Sequence, residues 1–244
     1  MMAKSTRRSD GQSSALMTLL RAIASRDQEK VARLLDASPG LARQVAEVGA
    51  TRQVSTAYFL DEIAHYVYAG DTALHIAAAA YECGISKNLL ARGANAGARN
   101  RRGAEPLHYA VDGIPDSHTW NPTAQAAVVE CLIEAGADPN SADKSGVTPL
   151  HRAVRTRCAA AVHALLANGA DAGLRNGSGS TPLHLAVQNT GRGGTGSSAA
   201  REQQEEIILL LLRHGARLTD RDAAGRTVRQ SVASDWVMEV LETS

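Results

Sequence analysis

Four histidines, His75, His108, His151 and His184, recur at spacings of 33, 43 and 33 residues. Imidazole is the usual side chain for acid–base work near neutral pH and a common metal ligand, so four in a row invite a catalytic or metal-binding reading. The spacing argues against it. No pair has the short helical separation of a metal site such as H-E-x-x-H, and no Cys or Ser lies near any of them in a known nucleophile motif. Cys83, Cys131 and Cys158 are odd in number, far apart in sequence and never C-x-x-C. Reduced thiols are expected, with no disulfide framework and no zinc site. Residues 191–196, Gly-Arg-Gly-Gly-Thr-Gly, spell G-x-G-x-x-G. A dinucleotide fingerprint needs a strand before it, and here a helical pattern precedes it, so a Gly/Ser loop is expected and no cofactor.

The histidines instead mark position four of a recurring hexad. The copies are Thr72-Ala73-Leu74-His75-Ile76-Ala77, Glu105-Pro106-Leu107-His108-Tyr109-Ala110, Thr148-Pro149-Leu150-His151-Arg152-Ala153 and Thr181-Pro182-Leu183-His184-Leu185-Ala186. A second motif follows each: Leu89-Leu90-Ala91-Arg92-Gly93-Ala94, Leu132-Ile133-Glu134-Ala135-Gly136-Ala137, Leu165-Leu166-Ala167-Asn168-Gly169-Ala170 and Leu211-Leu212-Arg213-His214-Gly215-Ala216. Thr before Pro caps a helix start, where Pro lacks only a donor that has no partner anyway. Gly after the Leu pair ends the second helix. Between repeats, Asn100-Arg101-Arg102-Gly103, Asp143-Lys144-Ser145-Gly146, Asn176-Gly177-Ser178-Gly179 and Asp222-Ala223-Ala224-Gly225 read as tight turns.

These residues resemble the ankyrin repeat, with its 33-residue period and T-P-L-H-x-A signature. The resemblance implies an all-α repeat solenoid of stacked helix pairs with β-turn fingers. It also implies that each histidine hydrogen-bonds backbone groups to hold the fingers. The expected organisation is an unstructured N-terminal segment over 1–13 and a capping helix pair over 14–37. An insertion with an amphipathic helix follows over 38–71. Four repeats then fill 72–226, as 72–104, 105–147, 148–180 and 181–226, and a C-terminal cap fills 227–244. Inserted loops are expected near 113–122 and 190–202.

The insertion over 38–71 carries half of the chain's aromatics: Tyr58, Phe59, Tyr66 and Tyr68. Phe59, Leu60, Ile63, Ala64 and Val67 are spaced as on one helix face. The segment either pads the first repeat or offers aromatic anchors to a partner. Trp120 in the second loop is either an anchor or folded back onto its own loop.

Composition bounds the function. Lys and Arg total 26 and Asp and Glu 25, a net charge of +1, so no global field draws nucleic acid or an anionic membrane. No apolar run is long enough for a signal core or a membrane span. A cytoplasmic protein and a monomer capped at both ends are expected, and the excess of Arg over Lys with abundant Ala points to a GC-rich, bacterial gene. The resemblance implies a non-catalytic module that binds a partner protein through fingers and first helices, by a concave groove. By position, the contact residues are Tyr68, Asp71, Arg101, Arg102, Asp112, Lys144, Ser145, Arg155, Thr156 and Gln188. Arg101, Arg102, Lys144, Arg152 and Arg155 form a basic set. It either holds an acidic segment of the partner or is a set of solvated charges offset by Glu105, Asp112 and Asp143. Rival readings are a nucleic-acid-associated protein using Arg101, Arg102 and Arg155, and an exported effector acting on a host protein.

Overall fold

The computed structural model describes residues 3–113, 120–188 and 197–243. Among these are eleven α-helices and one two-stranded hairpin. They form an all-α repeat solenoid, and two compact units divide it: residues 1–110 with 131–137, and residues 111–130 with 138–244. No helix among the described residues is long and apolar enough to cross a membrane.

In the first unit, α1 (Ala3–Ala24) and α2 (Gln28–Ala37) form the leading pair, and α3 (Ala73–Ala79) and α4 (Cys83–Ala91) the first repeat, followed by α5 (Pro106–Ala110). Helix α1 packs on α2 and α3, and α3 also packs on α4 and α5. The core is aliphatic and small: Leu19, Leu20, Ile23, Leu35, Leu74, Ile76, Leu89 and Leu107 are sealed from solvent, interleaved with Ala73, Ala77 and Ala78. Small residues let short helices approach closely, so burial is complete with few aromatic side chains. Helix α1 begins at Ala3, which corrects the unstructured segment expected over 1–13.

In the second unit, α7 (Pro149–Arg155) packs on α8 (Ala159–Ala167) and on α9 (Pro182–Ala186), and α10 (Ser198–Arg213) packs on α8 and α9. Ser197 caps α10 by accepting from the N–H of Ala200 at 3.2 Å, so residues 198–202 are helical rather than part of the expected loop. The chain ends on α11 (Asp235–Thr243), which buries Val237 and Leu241. Helix α6 spans Pro122–Glu134. Pro115, Asp116 and His118 of the second loop, and Gly191, Gly193 and Gly196 of the Gly-rich loop, lie outside the described residues.

Each histidine of the hexad seals a helix start. The N–H of Thr72 donates to Nδ1 of His75 at 3.1 Å, so the ring proton sits on Nε2, which donates to the carbonyl of Ala104 at 3.1 Å. His151 repeats this with Thr148 and the carbonyl of Ser180, and His184 with Thr181 and the carbonyl of Arg226. In these three repeats the histidine thus ties the first helix to the finger that closes its own repeat. At the eroded fifth start, Gln230 takes the histidine's place: the N–H of Thr227 donates to its Oε1 at 2.9 Å.

The fingers share one turn device. Asn100 Oδ1 accepts from the N–H groups of Arg102 and Ala104, and Asp143, Asn176 and Asp222 each accept from the equivalent pair. A side-chain oxygen so placed satisfies two amides the tight turn cannot pair internally.

The insertion over 38–71 forms no amphipathic α-helix at 59–67, only a 3-10 turn at Asp61–Ile63 between two short strands, and this is the main correction to the fold. Phe59–Leu60 (β1) and His65–Tyr66 (β2) form an antiparallel hairpin with Phe59 opposite Tyr66. Ala64 in the left-handed region, with φ of 49°, turns the chain back. The cross-strand rings of Phe59 and Tyr66 lie 4.7 Å apart between centroids, a pairing that stabilises a hairpin and has no counterpart on a helix.

Candidate functional site

The hairpin, the turn before it and the first finger border an open recess of ≈ 330 Å³ within the first unit. Ala50, Thr51, Arg52 and Ser55 line one wall, Tyr66 and Tyr68 another, and Arg101 and Arg102 a third. Each wall is fixed by its backbone. The N–H of Ala50 donates to the carbonyl of Val67 at 2.7 Å, which sets residues 50–55 alongside the tyrosines. The N–H of Arg101 donates to the carbonyl of Ala69 at 2.9 Å, which brings the finger against the same segment.

The side chains are held as well. Arg101 donates through a guanidinium N–H to the carbonyl of Ala50 at 2.8 Å. The Arg102 guanidinium lies over the Tyr68 ring, 4.3 Å from its centroid, and that of Arg101 lies 5.4 Å from the same ring. Such cation–π contacts contribute about 0.5–1 kcal/mol at exposed sites and, more to the point, orient the planar donor fork. The rings of Tyr66 and Tyr68 lie 6.4 Å apart at 47°. Arg52, Arg101 and Arg102 are exposed, no acidic side chain lines the pocket, and among the described residues none of the three pairs with a carboxylate. The site is therefore a fixed, electropositive and partly aromatic recess suited to an anion.

Of the ten residues expected to contact a partner, the structure brings together Tyr68, Arg101 and Arg102. Asp71 is corrected: it has no exposed surface and cannot touch a partner. Its carboxylate accepts from the N–H of Tyr68, the amide of Asn100 and the hydroxyl of Tyr109, a buried knot under the pocket. In the second unit, Lys144, Ser145 and Arg155 are exposed. Gln188 is exposed, and its carbonyl accepts from Arg157 at 2.9 Å. Thr156 is half-buried, with its hydroxyl bonded to the carbonyls of Val111 and Arg152. Asp112 pairs with Arg152 at 3.1 Å, and Asp143 lies 3.9 Å from the same guanidinium, so Arg152 belongs to an internal ion-pair cluster. Trp120 is half-buried and donates to Gln125 within its own segment at 3.2 Å.

Sequence reasoning missed Arg52. It sits in a short turn where the N–H of Val54 donates to the Thr51 hydroxyl, a segment with no periodicity to mark its facing. It also missed that Cys83 and Cys131 meet. Burial and the neighbouring Cys83 thiol push the Cys131 thiol up to about 12. Burial lowers the pKa of His75 and His151, against weaker opposing contributions from Asp71 on His75 and from the Ser180 carbonyl and then Asp143 on His151, and so favours the neutral ring that the capping bonds require. Among the described residues no cluster of three His, Cys, Asp or Glu could hold a metal ion.

Models of the ankyrin repeat match residues 69–101, 102–144 and 178–223, and a model of ankyrin repeats in many copies matches residues 132–186. The chain belongs to the ankyrin-repeat family, whose repeats generally mediate protein–protein interaction. A comparison with curated proteins finds no match.

Proposed function

We propose that the chain is a non-catalytic module, an adaptor or modulator, that binds a partner protein and anchors it at the pocket of Tyr68, Arg101 and Arg102. The observation that carries this reading is the set of exposed guanidinium groups fixed beside tyrosine rings without a carboxylate partner among the described residues. Arg and Tyr are the residues most enriched at the energetic centre of protein interfaces. Lys144, Ser145, Arg155 and Gln188 are further contact residues of the second unit. The partner's complementary segment is acidic. The protein acts as a cytoplasmic monomer.

The test is affinity capture from lysate of the source cell with mass spectrometry, comparing wild type with Arg101→Glu/Arg102→Glu. Both side chains are exposed, so the variant should still fold, with a denaturant midpoint lowered only by the loss of the Ala50 hydrogen bond and the Tyr68 contacts. A partner retained by wild type and lost by the folded variant supports the reading. Identical partners on both forms would remove the pocket from it.

A further inference from the structure

We infer that the pocket formed by Arg52, Arg101 and Arg102 against Tyr66 and Tyr68 is a phosphoryl site that takes a phosphorylated side chain of the partner protein. This rests on the protein-binding reading and specifies which group the pocket holds. Three arginines, Arg52, Arg101 and Arg102, line one recess of ≈ 330 Å³ that no acidic side chain lines. Like charges held together cost free energy unless an anion joins them. A single carboxylate offsets one of the three charges. A phosphomonoester carries about −1.5 to −2 at neutral pH, which offsets more of that charge than a carboxylate does, and its three strong acceptor oxygens equal the number of forks.

Two of the three arginines are set before any ligand arrives. Arg101 is tied to the Ala50 carbonyl by one N–H, and its other donors are unspent among the described residues. Arg102 is stacked on Tyr68. Pre-orientation removes part of the rotamer cost of binding, and a planar fork on oxygen is the geometry at which Arg surpasses Lys. The Thr51 hydroxyl accepts from Val54, which leaves its proton to donate at the rim. The partly open Tyr66 ring, 37% exposed, gives an aromatic wall beside the cations. The charges border one recess rather than running in a track, and the chain's net charge is +1, so a nucleic-acid backbone is the poorer fit.

The test follows the arginine side-chain N–H signals of the full-length 15N-labelled chain by NMR. The probes are N-acetyl-phosphotyrosine amide, N-acetyl-phosphoserine amide, N-acetyl-glutamate amide, sodium phosphate and a short oligothymidylate. The phosphorylated amides should shift Arg101 and Arg102 and bind about tenfold or more tighter than the glutamate amide. Arg101→Glu/Arg102→Glu should abolish the shift, and Arg33→Glu on α2 should leave it intact. Preference for phosphotyrosine adds the tyrosine wall to the site; equal binding of phosphoserine assigns it to the arginines, and both support the inference. Glutamate binding equally well, sodium phosphate binding as tightly as the amides, or only the oligothymidylate binding overturns it. If the phosphorylated amides fail while a captured protein is still lost on Arg101→Glu/Arg102→Glu, the phosphoryl inference falls and the protein-binding reading stands.

Discussion

The Tyr109 hydroxyl lies 2.9 and 3.0 Å from the two carboxylate oxygens of Asp71, and both side chains are buried. Asn100 bridges them, its amide donating to Asp71 Oδ1 at 2.9 Å and to the Tyr109 oxygen at 3.0 Å. The last residue of the insertion, the first finger and α5 therefore meet on one buried carboxylate that is held by dipoles. Tyr109→Phe removes one donor from a group that cannot reach water. A loss of about 1–3 kcal/mol in urea unfolding is expected. Asp71→Ala should cost more, because it strands the Tyr68 N–H, the Asn100 amide and the Tyr109 hydroxyl together. An unchanged midpoint for Tyr109→Phe would mean that the knot contributes nothing net.

Stability should fall as the medium is acidified through the histidine range. Burial depresses His75 and His151 below the ordinary value of 6.5. Between that value and the depressed one, the unfolded chain binds more protons than the folded one, so the folded state loses ground as pH falls. The contribution is whole above about 6.5 and is lost as pH drops through the folded-state values. Denaturant midpoints at pH 7.5 and 5.5 would show it, with a smaller drop for His151→Gln. A midpoint that rises on acidification would contradict the neutral, Nε2-protonated rings.

Two glycines with similar backbones should respond differently to alanine. Gly179 has φ of 71°, and a Cβ there would lie 2.5 Å from the amide nitrogen of Ala223 in the next finger. Gly169, ending α8, has φ of 88° but nothing within 4 Å of the equivalent position. Gly169→Ala carries only the backbone penalty, about 1 kcal/mol. Gly179→Ala adds a backbone clash and should cost clearly more, since neither finger can yield without breaking the Ala223 N–H to Ser178 carbonyl bond. Thermal unfolding of the two variants side by side decides it.

The thiols should separate into one that reacts and two that do not. Cys83 is half-buried, while Cys131 and Cys158 are buried and their thiols are pushed up by that burial. A chromogenic disulfide reagent at pH 8 should titrate one thiol quickly in the native chain and all three in denaturant. Three equal rates in the native state would be inconsistent with this packing.

The helix starts were legible because capping is local. Thr148, Pro149 and His151 specify α7 within four residues, and the Asp143 turn before it needs only its own side chain. The hairpin at 59–66 was not. Phe59, Leu60, Ile63, Ala64 and Val67 fit a helix face by spacing, yet the pairing of Phe59 with Tyr66 and the left-handed Ala64 decide otherwise. Those are tertiary and backbone facts that period alone does not carry. Position in the repeat put Arg101, Arg102 and Tyr68 on one side of the array, but not the stacking of the two guanidinium groups on the Tyr68 ring. It placed Asp71 on the same surface, where the structure turns its side chain inward to Asn100 and Tyr109, a partnership spread over 38 residues of sequence.

The segment from Val45 to Ala50 is sewn to residues 67–72. Val45 bridges Thr72, Ala46 exchanges bonds with Asp71 and Gly70 at 2.7 Å, and a Cβ on Gly49 would meet the Tyr68 carbonyl carbon at 2.5 Å. For anyone recombining repeats, the first transplantable module is therefore not the 33-residue period that begins at Thr72. A consensus repeat grafted over 72–104 would inherit a seam cut for someone else's edge. The shortest cassette that keeps this seam starts at Val45, and the recess with its three arginines travels with it.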